Sequence, residues 1–261
     1  METTLRNAAR VRLEAGQLAI GVGLRQSRTV DVASIMKASG YDWLFLDLEH
    51  NSMDLDTAVQ ISVAALGAGI APLVRVPAGQ FWLATRVLDG GALGIVMPHV
   101  DTASEAREIA DRLRYPPQGH RSVAGGLPHF GYTSIGIGDA TAALNAQTLV
   151  VVMLETPTAI ANAGEIAAVP GIDALLIGTS DLTMELGIPG QFGDERVVAA
   201  YRTVVDACQA HGKFAGIGGV YEERLMRQYI GMGVRLVLAG NDLGFMTSAA
   251  GEREKMLRAC L

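Results

Sequence analysis

Eight short apolar runs recur along this chain, and each is followed by a stretch with helical spacing. The runs are Leu18–Leu24, Trp43–Leu48, Pro72–Val76, Leu93–Met97, Leu149–Leu154, Ala174–Ile177, Phe214–Ile217 and Val234–Leu238. None alternates strictly with polar residues, which marks strands covered on both faces, as in a parallel sheet. Parallel strands need crossovers, and Asp31–Ser39, Asp54–Leu66, Gln80–Leu88, Ser104–Leu113, Thr158–Ala168, Arg196–Ala210, Glu222–Met232 and Leu243–Ala259 supply them. Asp54, Thr102 with Glu105 three positions on, and Asp194 stand where N-caps belong, and Gly40, Gly67, Gly212 and Gly233 where helices stop. Eight such pairs within 261 residues match a closed (β/α)8 TIM barrel in a single domain, residues 1–261, better than an open doubly wound sheet. Two segments depart from the repeat: a leading helix over residues 2–15, and a connection from Arg114 to Asp139 rich in Pro, Gly and His. Its length reads as a lid or a binding loop.

With 49% hydrophobic and 18% charged residues, the chain has the makings of a sizeable core. A net charge of −6 with no basic cluster excludes a nucleic-acid backbone or an anionic membrane surface as the main partner. No apolar run reaches the roughly 18–20 residues of a membrane helix. Only Cys208 and Cys260 are present, and the first twenty residues lack the apolar core of a secretory signal, so a reduced, cytoplasmic location is expected.

In a barrel, chemistry sits at the carboxyl ends of the strands. The second run leads into Asp47, Glu49 and His50, the third ends on Arg75, the fifth on Glu155, and the sixth is followed by Ser180 and Asp181. Glu155 and Asp181, on adjacent strands, can converge on one cation, and an oxygen-only pair suits Mg2+ or Mn2+, with Co2+ a third option. The competing reading makes Glu155 a carboxylate at a helix start and Asp181 an N-cap. His50 suits a general base, or equally a hydrogen-bonded loop residue. Arg75, inside an apolar strand, needs an anionic ligand or an internal salt bridge to Asp47 or Glu49, and both can hold. His99, His120 and His129 are weaker candidates, as are Gly216, Gly218 and Gly219, because a turn alone explains such glycines. Of the three lysines, Lys37 and Lys255 fall in helices and Lys213 enters a strand from its amino end, so Schiff-base catalysis is not expected. A carbonyl substrate would be activated by the metal instead.

Across nearly its whole length the chain resembles the HpcH/HpaI aldolase family of metal-dependent 2-oxo acid aldolases. The likeness is carried, in order and spacing, by GYDWLFLDLEHNSMD, APLVRVP, RVLDGGALGIVMPHV, RYPPQGHRSV, VVMLETP and PGIDALLIGTSDL. It implies a (β/α)8 barrel, a homohexamer built as a trimer of dimers that exchange C-terminal helices, and one divalent metal per site. Glu155 and Asp181 would hold the metal, and Arg75 would contact the keto oxygen and stabilise an enolate. His50, with Asp89 close to it, would move protons through a water, the backbone around Ser180 and Asp181 would hold the substrate carboxylate, and Arg121 matches a family arginine. Asp47 and Glu49 are additional candidates. The implied reaction is reversible cleavage of a 4-hydroxy-2-oxo acid to an aldehyde and pyruvate, so the expected partners are small molecules. Met153 stands where the best-known members carry Gln, which opens the donor to hydroxypyruvate or another 2-oxo acid, and Leu48 fills an often smaller position. The alternatives are an acyl-CoA lyase of the citrate-lyase or malyl-CoA-lyase kind, for which no basic CoA surface is evident, and a non-catalytic binding barrel.

Overall fold

Each apolar run forms a strand, and the pairing order closes on itself. A computed structural model describes residues 5–260. Its strands are β1 (Ala19–Leu24), β2 (Trp43–Asp47), β3 (Ala71–Arg75), β4 (Gly94–Met97), β5 (Leu149–Leu154), β6 (Ala174–Gly178), β7 (Phe214–Gly218) and β8 (Leu236–Asn241). All pair in parallel with their sequence neighbours, and β8 returns to β1 through Ala19 opposite Leu236, giving the closed eight-stranded barrel. The helices are α1 (Ala8–Glu14), α2 (Val32–Ala38), α3 (Leu55–Ala68), α4 (Phe81–Asp89), α5 (Ala103–Leu113), α6 (Ile137–Gln147), α7 (Pro157–Ala161), α8 (Ala163–Ala167), α9 (Thr179–Glu185), α10 (Glu195–His211), α11 (Glu223–Met232) and α12 (Asp242–Arg258).

The expected caps form. Asp54 accepts from the Thr57 N–H, Asp194 from that of Arg196, and Thr102 and Glu105 make a reciprocal capping box. Four expectations shift. α3 stops at Gly69, in the left-handed region at φ 70°, and Gly67 lies inside it. The helix expected over Thr158–Ala168 is two short helices meeting at Asn162. α6 and α9 were not expected as helices. Of the leading segment, residues 2–4 lie outside the described residues and the helix begins at Ala8.

Strand residues alternate between two cores, as the pleat requires. Leu44, Leu46, Val150, Val152, Leu175 and Ile177 face the helices, whereas Trp43, Phe45, Leu73, Val151, Met153 and Leu176 fill the barrel interior. The interior is lopsided. Gly21 leaves the space taken by the Trp43 ring, since a Cβ there would fall 2.1 Å from Trp43 Cε2, and the Trp43 indole donates to the Ala19 carbonyl at 3.1 Å.

The amino end of the barrel is plugged by α1, whose Ala9 and Leu13 pack on the interior cluster. Asn7 latches it, donating from its side chain to the carbonyls of Leu93 and Gln147. The Arg114–Asp139 connection also belongs to this end. Its buried Tyr115, Leu127 and Phe130 pack with Leu144 of α6 and half-buried Leu5, so it is an amino-end cover and not a lid over the carboxyl ends. The reason is local: α5 has already carried the chain back across the barrel, and β5 restarts from the same end.

Candidate active site

The same pleat that sorts the cores lifts the charged residues to the carboxyl rim. Asp47 continues the inward series Trp43 and Phe45, Arg75 the series Ala71 and Leu73, and Glu155 the series Val151 and Met153. Asp47 and Arg75 stand in register on β2 and β3, and the guanidinium grips the carboxylate with both arms, Nε to Oδ1 at 2.9 Å and Nη2 to Oδ2 at 2.5 Å. Its third nitrogen, Nη1, lies 3.2 Å from Glu49 Oε2, and the guanidinium sits 5.1 Å from the centre of the Phe45 ring. Burial pushes the Asp47 carboxyl up, but Arg75 and the N–H groups of Glu49 and His50 outweigh it and hold the group below its ordinary range. Both alternatives weighed for Arg75 therefore meet at one residue: it is paired internally, and it faces the pocket.

Glu155 is 2% exposed, with one carboxylate oxygen held and the other close against backbone. Oε2 accepts the His99 backbone N–H at 2.9 Å and lies 3.0 Å from His99 Nδ1, while Oε1 abuts Gly178, where a Cβ would stand 2.5 Å away. Burial raises the Glu155 carboxyl, the Asp181 carboxylate raises it further, and His99 and Arg75 only partly offset this. A buried carboxylate raised further by a second carboxylate nearby has the chemistry of a divalent-metal site. Among the described residues no group of three or more His, Cys, Asp or Glu is placed to hold an ion.

Beside these groups lies a pocket of about 340 Å3, lined on one side by Asp47, His50, Arg75, Met153, Ser180 and Asp181, with Glu155 just behind its lining. His50 is exposed at its mouth, its Nε2 3.6 Å from Glu49 Oε2. Met153 Sδ stands 4.0 Å from Arg75 Nη1, and Leu48 points instead into the helix-facing core. Asp181 belongs to the first turn of α9, whose N-cap is Gly178, so it is not the cap.

Two expected site residues are elsewhere. Asp89 ends α4 at the amino end of the barrel and pairs with the buried Arg121, Nη2 to Oδ1 at 2.6 Å, with the Arg121 guanidinium 4.5 Å from the centre of the Tyr115 ring. It is therefore not close to His50 within one chain. A helix leaving a carboxyl end must deliver its last residue to the opposite end, so an aspartate closing α4 cannot share a rim with β2. His129 is buried there too, against the Ala92 carbonyl, and His120 pairs with Asp111 on the outer surface. His99, only a weak candidate by sequence, is the histidine beside Glu155, and its signal is backbone as much as side chain: a non-glycine φ of 56°. Asp242, which no sequence motif announced, is buried and accepts the N–H groups of Arg25, Gln26 and Ser27. No lysine lines the pocket.

The profile of the HpcH/HpaI aldolase/citrate lyase family matches residues 25–249. The chain is 37% identical to a 4-hydroxy-4-methyl-2-oxoglutarate aldolase of Hapsidospora irregularis, over 96% of this chain and 93% of that one. It is 35% identical to a hydroxypyruvate/pyruvate aldolase of Delftia acidovorans, over 84% and 80%. The crystal structure of an HpcH/HpaI aldolase from Desulfitobacterium hafniense superposes with a TM-score of 0.90 at 26% identity, covering 95% of this chain and 96% of that one.

Proposed function

Because this chain belongs to the HpcH/HpaI aldolase/citrate lyase family, we propose that it is a divalent-metal-dependent aldolase acting on 4-hydroxy-2-oxo acids. The products are an aldehyde or related carbonyl compound and pyruvate, or a 2-oxo acid such as hydroxypyruvate. The observation that carries this reading is the buried Glu155 facing Asp181 beside the Asp47-anchored Arg75. Glu155 and Asp181 would hold Mg2+ or Mn2+, with Co2+ a third option. When bound, the metal supplies positive charge at the 2-keto oxygen.

The chain's own residues account for the rest. Arg75 cannot swing away, because Asp47 fixes two of its nitrogens, so its charge is already in place when the keto oxygen becomes an enolate oxygen. The backbone around Ser180 and Asp181 would hold the substrate carboxylate. His50, at the mouth with the Glu49 carboxylate 3.6 Å from its Nε2, would take the proton from the 4-hydroxyl as the C3–C4 bond breaks. Asp89 can contribute to that proton transfer only from another subunit. A homohexamer, a trimer of dimers exchanging α12, would offer that route. α12 buries only Asp242 on its own barrel and exposes Leu243, Phe245, Met246, Met256 and Leu257. The reduced cytoplasm suits the two free cysteines.

The test is exchange of the pyruvate methyl protons in D2O, followed by NMR with Mn2+ or Mg2+ and then with EDTA. Metal-dependent exchange is expected. Its absence with every metal, for pyruvate and hydroxypyruvate alike, would overturn the reading.

A further inference from the structure

The two carboxylates of the proposed metal pair are held in unlike ways. Glu155 is buried and accepts the His99 N–H, whereas the carboxylate of Asp181, an exposed residue, accepts no hydrogen bond among the described residues. Its aim depends on the turn that carries it. That turn opens α9, a helix of seven residues whose N-cap, Gly178, has no side chain to take the first N–H groups. A helix so short and bare at its start frays unless something outside pins it.

The pin is Thr179, the first residue of α9 and fully buried. Its Oγ1 donates to the Gly218 carbonyl at 2.7 Å, and Gly218 stands in register with Gly178 across β6 and β7. A threonine hydroxyl has one proton and a carbonyl can only accept, so that proton is committed. The 2.6 Å contact between Thr179 Oγ1 and the Tyr201 hydroxyl is then a donation from Tyr201. Burial pushes the Tyr201 phenol well above its ordinary range, which keeps the donated proton in place. Tyr201 is itself fixed: it is buried on α10, and its ring stacks on that of Tyr229 of α11 with centres 3.9 Å apart. A directed chain of hydrogen bonds therefore runs from the helix layer, through one hydroxyl, to the turn bearing Asp181. Beside the same turn Gly219, at φ 89°, leaves open the space that a Cβ would contest with Ser180 Oγ at 2.9 Å.

We infer that Tyr201, which does not line the pocket, is a positioning residue for the metal site: through Thr179 its hydroxyl fixes the turn that presents the Asp181 carboxylate and the backbone of Ser180 and Asp181. The inference rests on the aldolase reading above and deepens it, since it assigns the aim of Asp181 to a residue in the helix layer.

Calorimetric Mn2+ titration alongside thermal melts tests it. Tyr201→Phe deletes one oxygen and keeps the ring stack, and its Mn2+ affinity is expected to fall roughly tenfold, the low end of the cost of losing an outer partner of a metal ligand. Tyr229→Phe is the matched control. It deletes the other hydroxyl of the stack, which donates to the Phe192 carbonyl at 2.5 Å, so it should lower the melting temperature comparably and leave Mn2+ affinity within about twofold of wild type. Thr179→Val should match Tyr201→Phe, and Thr179→Ser, which keeps the relaying hydroxyl, should restore the affinity. The double variant of Tyr201→Phe and Thr179→Val should lose no more than either alone, because both cut one chain. A Tyr201→Phe protein within about twofold of wild type, or a Tyr229→Phe loss as large as that of Tyr201→Phe, would overturn the inference alone. A wild type that binds no Mn2+ would remove the metal-dependent aldolase reading and this inference with it.

Discussion

Replacing Gly178 by alanine is a direct probe of the carboxylate pair. The new methyl would stand 2.5 Å from Glu155 Oε1, 2.7 Å from Cγ and 3.0 Å from Cδ, so the whole end of the side chain is in the way. Restoring ordinary contact needs a retreat of about 0.9 Å. That movement disturbs the two contacts at His99, 2.9 and 3.0 Å, which hold Oε2 in place. Metal–oxygen distances tolerate only about 0.2 Å, so the displacement exceeds the tolerance several times over. We expect Mn2+ affinity to fall at least tenfold, about 1.4 kcal/mol, with an overpacking cost of about 1–3 kcal/mol in stability. Calorimetric Mn2+ titration and thermal melts read the two separately. Gly231→Ala, in α11 with open space around its Cβ position, is the control and should stabilise the fold by about 0.5 kcal/mol or more. A folded Gly178→Ala protein with Mn2+ affinity within twofold of wild type would show that the ion does not rest on Glu155.

Arg75→Met should cost about 3–5 kcal/mol, because it strands the buried Asp47 charge, and the double variant with Asp47→Leu should recover most of that stability but no turnover; denaturant melts and the exchange assay check both halves. Asp242→Asn should loosen the loop bearing Arg25 at a cost of about 1–3 kcal/mol, seen as faster amide exchange at Gln26 and Ser27. In the wild type, burial would raise the Asp242 carboxyl, but the N–H groups of Ser27, Arg25 and Gln26 outweigh it and hold it low, so its contribution is whole above the ordinary aspartate range. It should be lost only as pH falls through the lowered value, and loosening at neutral pH would contradict this. Mixed subunits of His50→Ala and Asp89→Ala, each inactive alone, should regain partial turnover, and a mixture as inactive as its parents would deny Asp89 an intersubunit role. Borohydride with substrate should trap no lysine by mass spectrometry, since Lys213 Nζ is turned to the Ile172 carbonyl at 2.7 Å at the amino end.

The barrel was legible because its signal is one-dimensional. Repeated runs such as LVVVML, set between helical stretches, are what parallel strands covered on both faces look like, and caps such as Thr102 with Glu105 are local. Counting residues along the runs likewise places Asp47 and Arg75 at the ends of their strands, Glu155 just past β5 and Asp181 in the turn after β6. What failed depends on where helices return. Asp89 and the Arg114–Asp139 connection carry residue types that suit a site, yet the return path of α4 and α5 places both at the other end. α6 escaped notice because IGDATAALNAQ has little apolar face and buries only Leu144. Asp242 and Arg25 are 217 positions apart, and His99 is distinguished by a backbone angle, so neither relation has a local sequence signature.

The ring of strands also sets an order of events during synthesis. β1 finds its second neighbour only in β8, through Ala19 opposite Leu236, and the Asn7 latch waits for Gln147. At ribosomal speeds of about 5–20 residues per second, β1 is made roughly ten to forty seconds before its last partner. Through that interval the nascent chain carries two raw strand edges and an undocked α1, a template for pairing between neighbouring chains on one message. Slowing elongation should lengthen that exposure and lower soluble yield, while leaving the finished protein's melting temperature untouched.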